Sequence, residues 1–329
     1  MDTETLTASK QGDGSKAAVE ISVVIPVVER SDDLAKLFHA YSEEIFKLTG
    51  DVEFIFVLDA HMKDEYGIVK ELASRHPHVS FVRFPKTFGE SNALSVGFQK
   101  AKGKYVFTLS SYFQVEPCEI RRLYETLING ECDIVISRRS REGDSFLNRI
   151  QSVLFHKILR LFTGTRFRDI SCGFRGMKKE VAETFDIYGD LHRFIPILAE
   201  HQGLRVKELK VRQHKRDTKP RVYRLRVYLY RIIDILTLFF LLRFTYRPLR
   251  FFGSLGSLLT LIGLAINGYL IYNRLFTEHF TLRDKPSLFL AALLMVIGIQ
   301  IFAIGLLGEI IIYTHSKKAK QFNIKEYIE

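Results

Sequence analysis

The sequence is poor in cysteine: Cys118, Cys132 and Cys172 are the only three in 329 residues. An odd number without metal-ligand spacing argues against a disulfide framework and against a zinc site, so reduced, buried thiols in a cytosolic compartment are expected. His61 and His214 stand alone, with no partner at metal spacing. No signal peptide is expected. Met1 to Ala18 is polar and rich in Ser, Thr, Gly and charge, without a basic-then-apolar order, and reads as a disordered leader to a domain on the cytoplasmic side. No internal repeat occurs at solenoid spacing. Acid is scarce where base is dense: residues 201–250 hold 14 Lys or Arg against Glu208, Asp217 and Asp234, within a formal net charge of +11. Such a charge calls for an anionic partner, whether nucleic acid, a phosphate-bearing substrate or a lipid surface. Because the basic block runs straight into apolar sequence and carries no recognition motif, a membrane surface is favoured and nucleic acid is not expected.

Charge is absent altogether from two long segments, Phe251 to Tyr272 and Ser287 to Gly308. About 20 such residues cross a bilayer core, so transmembrane helices are expected over 251–272 and 287–313, joined by a short loop over 273–286. Arg243, Arg247 and Arg250 precede the first, and Lys317, Lys318 and Lys320 follow the second. The excess of base at both outer ends predicts that both termini, including the tail 314–329, are cytoplasmic. Residues 223–250 alternate Arg with Tyr, Leu and Ile and read as amphipathic, interfacial helix. Glu309 is expected at the interface rather than in an ion pathway.

Residues 19–222 alternate short apolar runs with helical periods. Strands are predicted at Ile21–Val27, Val52–Leu58, Val79–Phe84, Tyr105–Leu109 and Asp133–Ser137. Helices fall between them: one with apolar positions at Leu34, Leu37, Tyr41 and Ile45, one around Tyr66–Ser74, one over Ser91–Gln99 and one from Pro117. Strands separated by single helices imply right-handed crossovers and an α/β, Rossmann-like, mostly parallel sheet covered on both faces. Ligands bind such sheets at the carboxyl ends of the strands, here Pro26–Arg30, Asp59–His61 and Ser110–Gln114.

Five segments carry a resemblance: the VVIPV strand, Lys86–Val106, Asp169–Val181, His192–Arg216 and Leu236–Gly256. In that order, followed by two apolar spans, they resemble glycosyltransferase family 2, and within it the polyprenyl-phosphate (dolichol-phosphate-mannose-synthase-like) enzymes with a two-helix membrane anchor. The resemblance implies a GT-A fold, a nucleotide-diphosphate sugar donor, a polyprenyl-phosphate acceptor, inverting transfer and a divalent cation. It also implies site residues. Pro26, Val28, Asp59, Lys86, Gly89, Ser110, Tyr112 and Gln114 fall at donor positions. Arg138, Arg141, Arg175, His214 and Arg216 fall at acceptor-phosphate positions, where forked guanidinium donors suit phosphate oxygens. Asp169 matches a candidate base, with a turn-capping role as its structural counterpart; Arg138, Arg141 and Arg216 join it in the expected catalytic group.

The chain departs from the family in three segments, all at the donor-metal pocket. Where the family carries an Asp-x-Asp metal motif, it reads Leu109-Ser110-Ser111-Tyr112-Phe113-Gln114, so Mg²⁺ or Mn²⁺ is expected of the family while its carboxylate ligands are absent. The family's Pro-x-Tyr-Asn-Glu becomes Pro26-Val27-Val28-Glu29-Arg30, and its Asp-Asp-Gly-Ser keeps only Asp59. Two functions follow. One is sugar transfer to a polyprenyl phosphate at the cytoplasmic face, with base-rich side chains in place of a metal. The other is a catalytically inactive relative that binds lipid phosphate or scaffolds membrane glycan assembly. Homo-oligomerisation is an expectation of the anchored type.

Overall fold

The computed structural model describes residues 19–139, 157, 159–160, 163–217, 233, 235–240, 248–276 and 286–316. The expected leader 1–18, Arg141, most of the segment 223–250, most of the loop 273–286 and the tail after 316 lie outside the described residues. The chain divides into two compact units, Met1–Asp234 and Ile235–Glu329.

In the first unit, apolar runs rich in β-branched and aromatic residues form strands β1 (Ile21–Val27), β2 (Val52–Leu58), β3 (Val79–Arg83), β4 (Tyr105–Thr108) and β5 (Ile134–Arg139). Every residue of β1 and β4 is buried, as expected of strands covered on both faces. Between the strands run helices α1 (Leu34–Phe46), α2 (Lys63–Arg75), α3 (Glu90–Lys100) and α4 (Glu119–Ile128). Helix α1 shows why the periodicity was readable. Asp33 accepts from the Lys36 amide at its start, and Leu34, Leu37, Phe38, Tyr41 and Ile45 bury one stripe against the sheet.

Two further strands complete the sheet, β6 (Arg175–Lys178) and β7 (Val206–Val211), in the order β3-β2-β1-β4-β6-β5-β7. Strand β6 runs antiparallel between β4 and β5, while the other pairings are parallel. The sheet is therefore mixed, though mostly parallel. Gly176 permits the β6 insertion, since a Cβ there would lie 2.6 Å from a ring carbon of Phe107. A short helix α5 (Lys179–Glu183), a 3₁₀ turn (Leu191–Phe194) and helix α6 (Ile195–His201) connect β6 to β7. The β1–β2–β3 and β4 sides wind away from each other, making the β1/β4 boundary the switch point where a crevice opens outside the strand ends. Cys132 and Cys172 are buried as expected; Cys118, placed just before α4, is exposed.

The second unit contains α7 (Pro248–Phe276) and α8 (Pro286–Ser316), each longer than the apolar core that announced it. Both are long and apolar enough to cross a membrane, and only 17% of each apolar window is buried, unlike the core helix of a water-soluble domain. The two fit a membrane anchor. Glu309 accepts a hydrogen bond from the Leu249 amide at 3.4 Å, covering a free donor in the first turn of α7. Small residues let the backbones approach: a Cβ on Gly256 would sit 2.5 Å from the Gly298 carbonyl, and one on Gly263 2.7 Å from the Ala291 carbonyl. Gly256→Leu is therefore expected to destabilise the helix pair by about 1–3 kcal/mol, read as a lower unfolding midpoint in detergent. Gly268→Leu, where no atom lies within 4 Å of an added Cβ, serves as the matched control and should leave the midpoint in place.

Candidate functional site

The loop leaving β4 is the hub of the switch point. Ser111 Oγ donates a short hydrogen bond to the Arg30 carbonyl, the Asp32 amide donates to the Ser111 carbonyl (2.9 Å), and the Phe113 amide donates to Asp32 Oδ2 (3.1 Å). These bonds tie the segment after β1 to the segment after β4. On the other side, Gln114 Oε1 accepts from the Gly173 amide (2.9 Å) and faces Cys172 Sγ at 3.6 Å, while its Nε2 donates to the Tyr112 hydroxyl at 2.5 Å. Thr108 Oγ1 donates to the Gly173 carbonyl at 2.6 Å. A Cβ on Gly173 would lie 2.5 Å from Ser110 Oγ, so a side chain there would have to displace that hydroxyl. Ser110, Tyr112 and Gln114 are thus brought together with the 172–173 turn.

The segment after β7 closes over the same loop. The His214 amide donates to the Gln114 carbonyl (3.1 Å), the His214 ring stacks on Phe113 with centroids 4.6 Å apart, and the Arg216 guanidinium lies 5.4 Å from the Phe113 centroid. The Arg30 guanidinium covers the neighbouring Tyr112 ring at 4.2 Å. Two consecutive aromatic residues therefore each carry an arginine, worth about 0.5–1 kcal/mol apiece at exposed sites.

Other candidates are placed differently. Asp59 is fully buried and its two carboxylate oxygens accept from the amides of Phe88 (3.0 Å) and Gly89 (3.2 Å). It holds the entry to α3, where Gly89 adopts a φ of 86° that side chains resist. Lys86 lies exposed on that entry loop with Nζ 5.0 Å from the Phe88 centroid, and Pro26 and Val28 lie in and just after β1, Val28 buried. Arg175 is buried, and Nε, Nη1 and Nη2 donate to the carbonyls of Cys172, His192 and Ile170 (2.7–2.9 Å). Burial pushes its pKa down from the usual guanidinium value. The structure uses Arg175 to fix the 170–173 turn.

Asp169 and the basic run give a second cluster. The sequence singles out Arg138 and Arg141, but the fully buried side chain is Arg139, because β5 extends two residues beyond the predicted Ser137. Arg139 Nε and Nη2 donate to Asp169 (2.9 and 3.2 Å), Nη1 donates to Asp217 (3.1 Å) and Nη2 donates to Ser171 (3.0 Å). Burial opposes its charge, yet Asp169 and then Asp217 hold its pKa well above the ordinary value. Asp217 also accepts from Gln213 at 2.9 Å, linking the cluster to the segment that carries His214 and Arg216. Arg138, one residue earlier, is half-buried at the strand end.

A third group went unnoticed in the sequence. Ser91 Oγ accepts from the His192 amide (3.0 Å) and meets Nδ1 at 3.1 Å, and Nε2 lies 3.3 Å from Glu90 Oε2. Burial, reinforced by Arg193 and Arg175, lowers the His192 pKa to about 3, so the ring is neutral near pH 7. Burial raises the Glu90 carboxyl. Because the unfolded histidine binds a proton near pH 6.5 and the folded one does not, the His192 contribution is complete above pH 6.5. It is lost as pH falls toward 3, at up to about 1.4 kcal/mol per unit. Glu90, shifted upward, works in the opposite sense above its unfolded value. His192→Gln should flatten the loss of unfolding free energy between pH 6.5 and 5, measured by denaturant titration of the full chain.

A divalent cation does not fit the loop after β4. Ser110, Tyr112 and Gln114 are neutral, Gln114 Oε1 is already an acceptor, and a guanidinium covers Tyr112. Among the described residues no group of three or more His, Cys, Asp or Glu is placed to hold a metal ion.

Comparison with known proteins agrees with this architecture. The profile of glycosyl transferase family 2 matches residues 22–185. The undecaprenyl-phosphate 4-deoxy-4-formamido-L-arabinose transferase of Proteus mirabilis is 28% identical over 94% of this chain and 94% of its own length. The dodecaprenyl-phosphate galacturonate synthase of Rhizobium johnstonii is 24% identical over 91% of this chain and 89% of its own. Among solved structures, glucosyl-3-phosphoglycerate synthase of Mycobacterium tuberculosis, in complex with Mn²⁺, UDP-glucose and phosphoglyceric acid, superimposes with a TM-score of 0.51. That match is at 18% identity over 69% of this chain and 80% of that one, a likeness of fold.

Proposed function

Since the chain belongs to glycosyl transferase family 2, we propose that it transfers a sugar from a nucleotide-diphosphate donor to a polyprenyl phosphate at the cytoplasmic face, without a conventional metal site. The observation that carries this reading is the switch-point loop 110–114, which holds its shape through hydrogen bonds to three strand ends and carries arginines where metal ligands are absent. Its relatives over nearly the whole length are named as polyprenyl-phosphate sugar transferases and synthases.

In the proposed reaction an oxygen of the acceptor phosphate attacks the sugar C1 opposite the donor diphosphate. The C1–O bond to the diphosphate breaks, and its electron pair leaves with the nucleoside diphosphate. The acceptor phosphate is already ionised at neutral pH, so it needs orientation and no strong base. This agrees with an Asp169 engaged by Arg139. Arg138, half-buried at the end of β5, and Arg216, exposed beside Phe113, are the proposed phosphate contacts, together with His214; Arg141 belongs to the same proposal from sequence alone. Positive side chains replace the charge that a cation would supply to the leaving diphosphate.

The test uses full-length protein in sealed inverted vesicles, labelled nucleotide sugars that do not cross the membrane, and undecaprenyl phosphate, with and without EDTA. Lipid-linked sugar should form from one donor and persist in EDTA; formation only in right-side-out vesicles overturns the orientation. Absence of product from every donor supports the second reading, a lipid-phosphate-binding or scaffolding relative, which the missing carboxylates at Ser110 and Tyr112 favour.

A further inference from the structure

The misfit between the loop after β4 and a metal ion has a specific counterpart in Arg30. We propose that the Arg30 guanidinium binds the diphosphate of the donor at the β1/β4 switch point, taking the position that a cation would otherwise hold. This rests on the donor reading above.

Placement comes first. Arg30 follows β1 and Tyr112 follows β4, the two strands that flank the switch point. The Ser111–Arg30, Asp32–Ser111 and Phe113–Asp32 hydrogen bonds fasten these segments to each other, so Arg30 keeps its place relative to the loop that replaces the acidic motif.

Availability comes second. The arginine side chain is 29% exposed, and its Nε is buried without a hydrogen-bond partner. Its carboxylate neighbour, Asp32, is 3.7 Å from Nη2, outside hydrogen-bond range, and Asp32 Oδ2 already accepts from the Phe113 amide. The Tyr112 ring supports the guanidinium plane at 4.2 Å without using any of its five N–H donors. Arg139 and Arg175 differ in this respect. Their donors are directed to buried carboxylates or backbone carbonyls. Arg30 keeps a fork free to meet two oxygens of a diphosphate.

Charge comes third. A carboxylate at 112 would pair with Arg30, whereas Tyr112 adds no negative charge to that of Asp32 at 3.7 Å. Arg216, over the adjacent Phe113, adds a second guanidinium to the same loop. As the C1–O bond breaks, the Arg30 N–H groups donate to the departing diphosphate oxygens. No proton changes hands.

The experiment is calorimetry on the full-length protein in detergent and EDTA, with inorganic pyrophosphate, UDP and farnesyl phosphate as separate probes. Pyrophosphate and UDP should bind without metal, and Arg30→Met should weaken both by roughly tenfold or more, the worth of a charge-assisted hydrogen bond. Arg30→Lys, which keeps the charge and loses the fork, should fall between them. Farnesyl phosphate should bind both proteins alike; equal weakening of the lipid probe would assign the arginine to the acceptor and overturn the proposal. Unchanged pyrophosphate affinity in Arg30→Met overturns it too. Should Arg30→Met fail to fold, an Arg30→Lys protein that binds pyrophosphate like the parent does the same. Metal-free transfer with a silent Arg30→Met change sinks the arginine assignment and leaves the transferase reading standing. Arg30-dependent pyrophosphate binding without transfer from any donor has the converse meaning.

Discussion

Replacing Arg139 by Met is expected to destabilise the protein by about 3–5 kcal/mol, a large share of the roughly 5–15 kcal/mol typical of a domain. The reason is the arithmetic of charge in a dry place. Arg139 is shared by Asp169 and Asp217, and all three side chains are at most 2% exposed. Removing the cation leaves two carboxylates without their shared guanidinium partner inside the protein, and an uncompensated buried charge costs far more than an ion pair contributes. The companion variant decides whether this explanation is right. Arg139→Met combined with Asp169→Asn and Asp217→Asn removes the charges together and should recover a substantial part of the lost stability. Denaturant unfolding of the full chain in detergent reads both. Equal destabilisation of the single and triple variants would show that packing of the arginine, not charge, is at stake.

The same cluster shows what the sequence does and does not disclose. Strands β1 to β4 and their helices are legible because a strand covered on both faces is a run such as Ile21–Val27, and a helix with one covered face repeats as Leu34, Leu37, Tyr41 and Ile45 do. The two apolar helices are legible for the same reason, length without charge. Strand β6 is different. Arg175-Gly176-Met177-Lys178 has no apolar alternation, and it becomes a strand because two neighbours supply its hydrogen bonds. Strand β7 lies at the sheet edge, mostly half-buried, so its Lys207, Glu208 and Lys210 read as surface.

Part of the candidate group named from the sequence is drawn together by the fold. Ser110, Tyr112, Gln114, His214 and Arg216 converge on one loop. Asp59 and Arg175 turn out to hold backbone, a role invisible until the amides of 88–89 and the carbonyls of 170–172 and 192 are placed around them. Arg139 is not among the candidates because the family resemblance puts the paired arginines at Arg138 and Arg141. One further residue pair in β5 turns the basic run into the end of a buried strand.

Rebuilding the acidic motif should reverse the chemistry of the switch point. Tyr112→Asp puts a carboxylate in place of the ring beneath Arg30, and Ser110→Asp adds a second acid two residues earlier in the same loop. In EDTA the new acids should pair with the guanidinium and weaken pyrophosphate binding by about 100-fold, the effect of losing one or two charge-assisted hydrogen bonds. Divalent metal should not restore it, because a cation and a guanidinium compete for the same charge. Adding Arg30→Gln frees the carboxylates for a hard dication, which oxygen ligands favour. That triple variant should bind Mn²⁺ and regain pyrophosphate affinity only in its presence, measured by titration calorimetry and by the Mn²⁺ electron paramagnetic resonance signal. The parent protein supplies the baseline with no carboxylate pair at these positions. Tight Mn²⁺ binding by the Ser110→Asp, Tyr112→Asp protein while Arg30 is still present would show that the arginine does not stand where the metal belongs. That pattern of results is the one expected if acids at 110 and 112 require a metal and their absence requires a fixed cation.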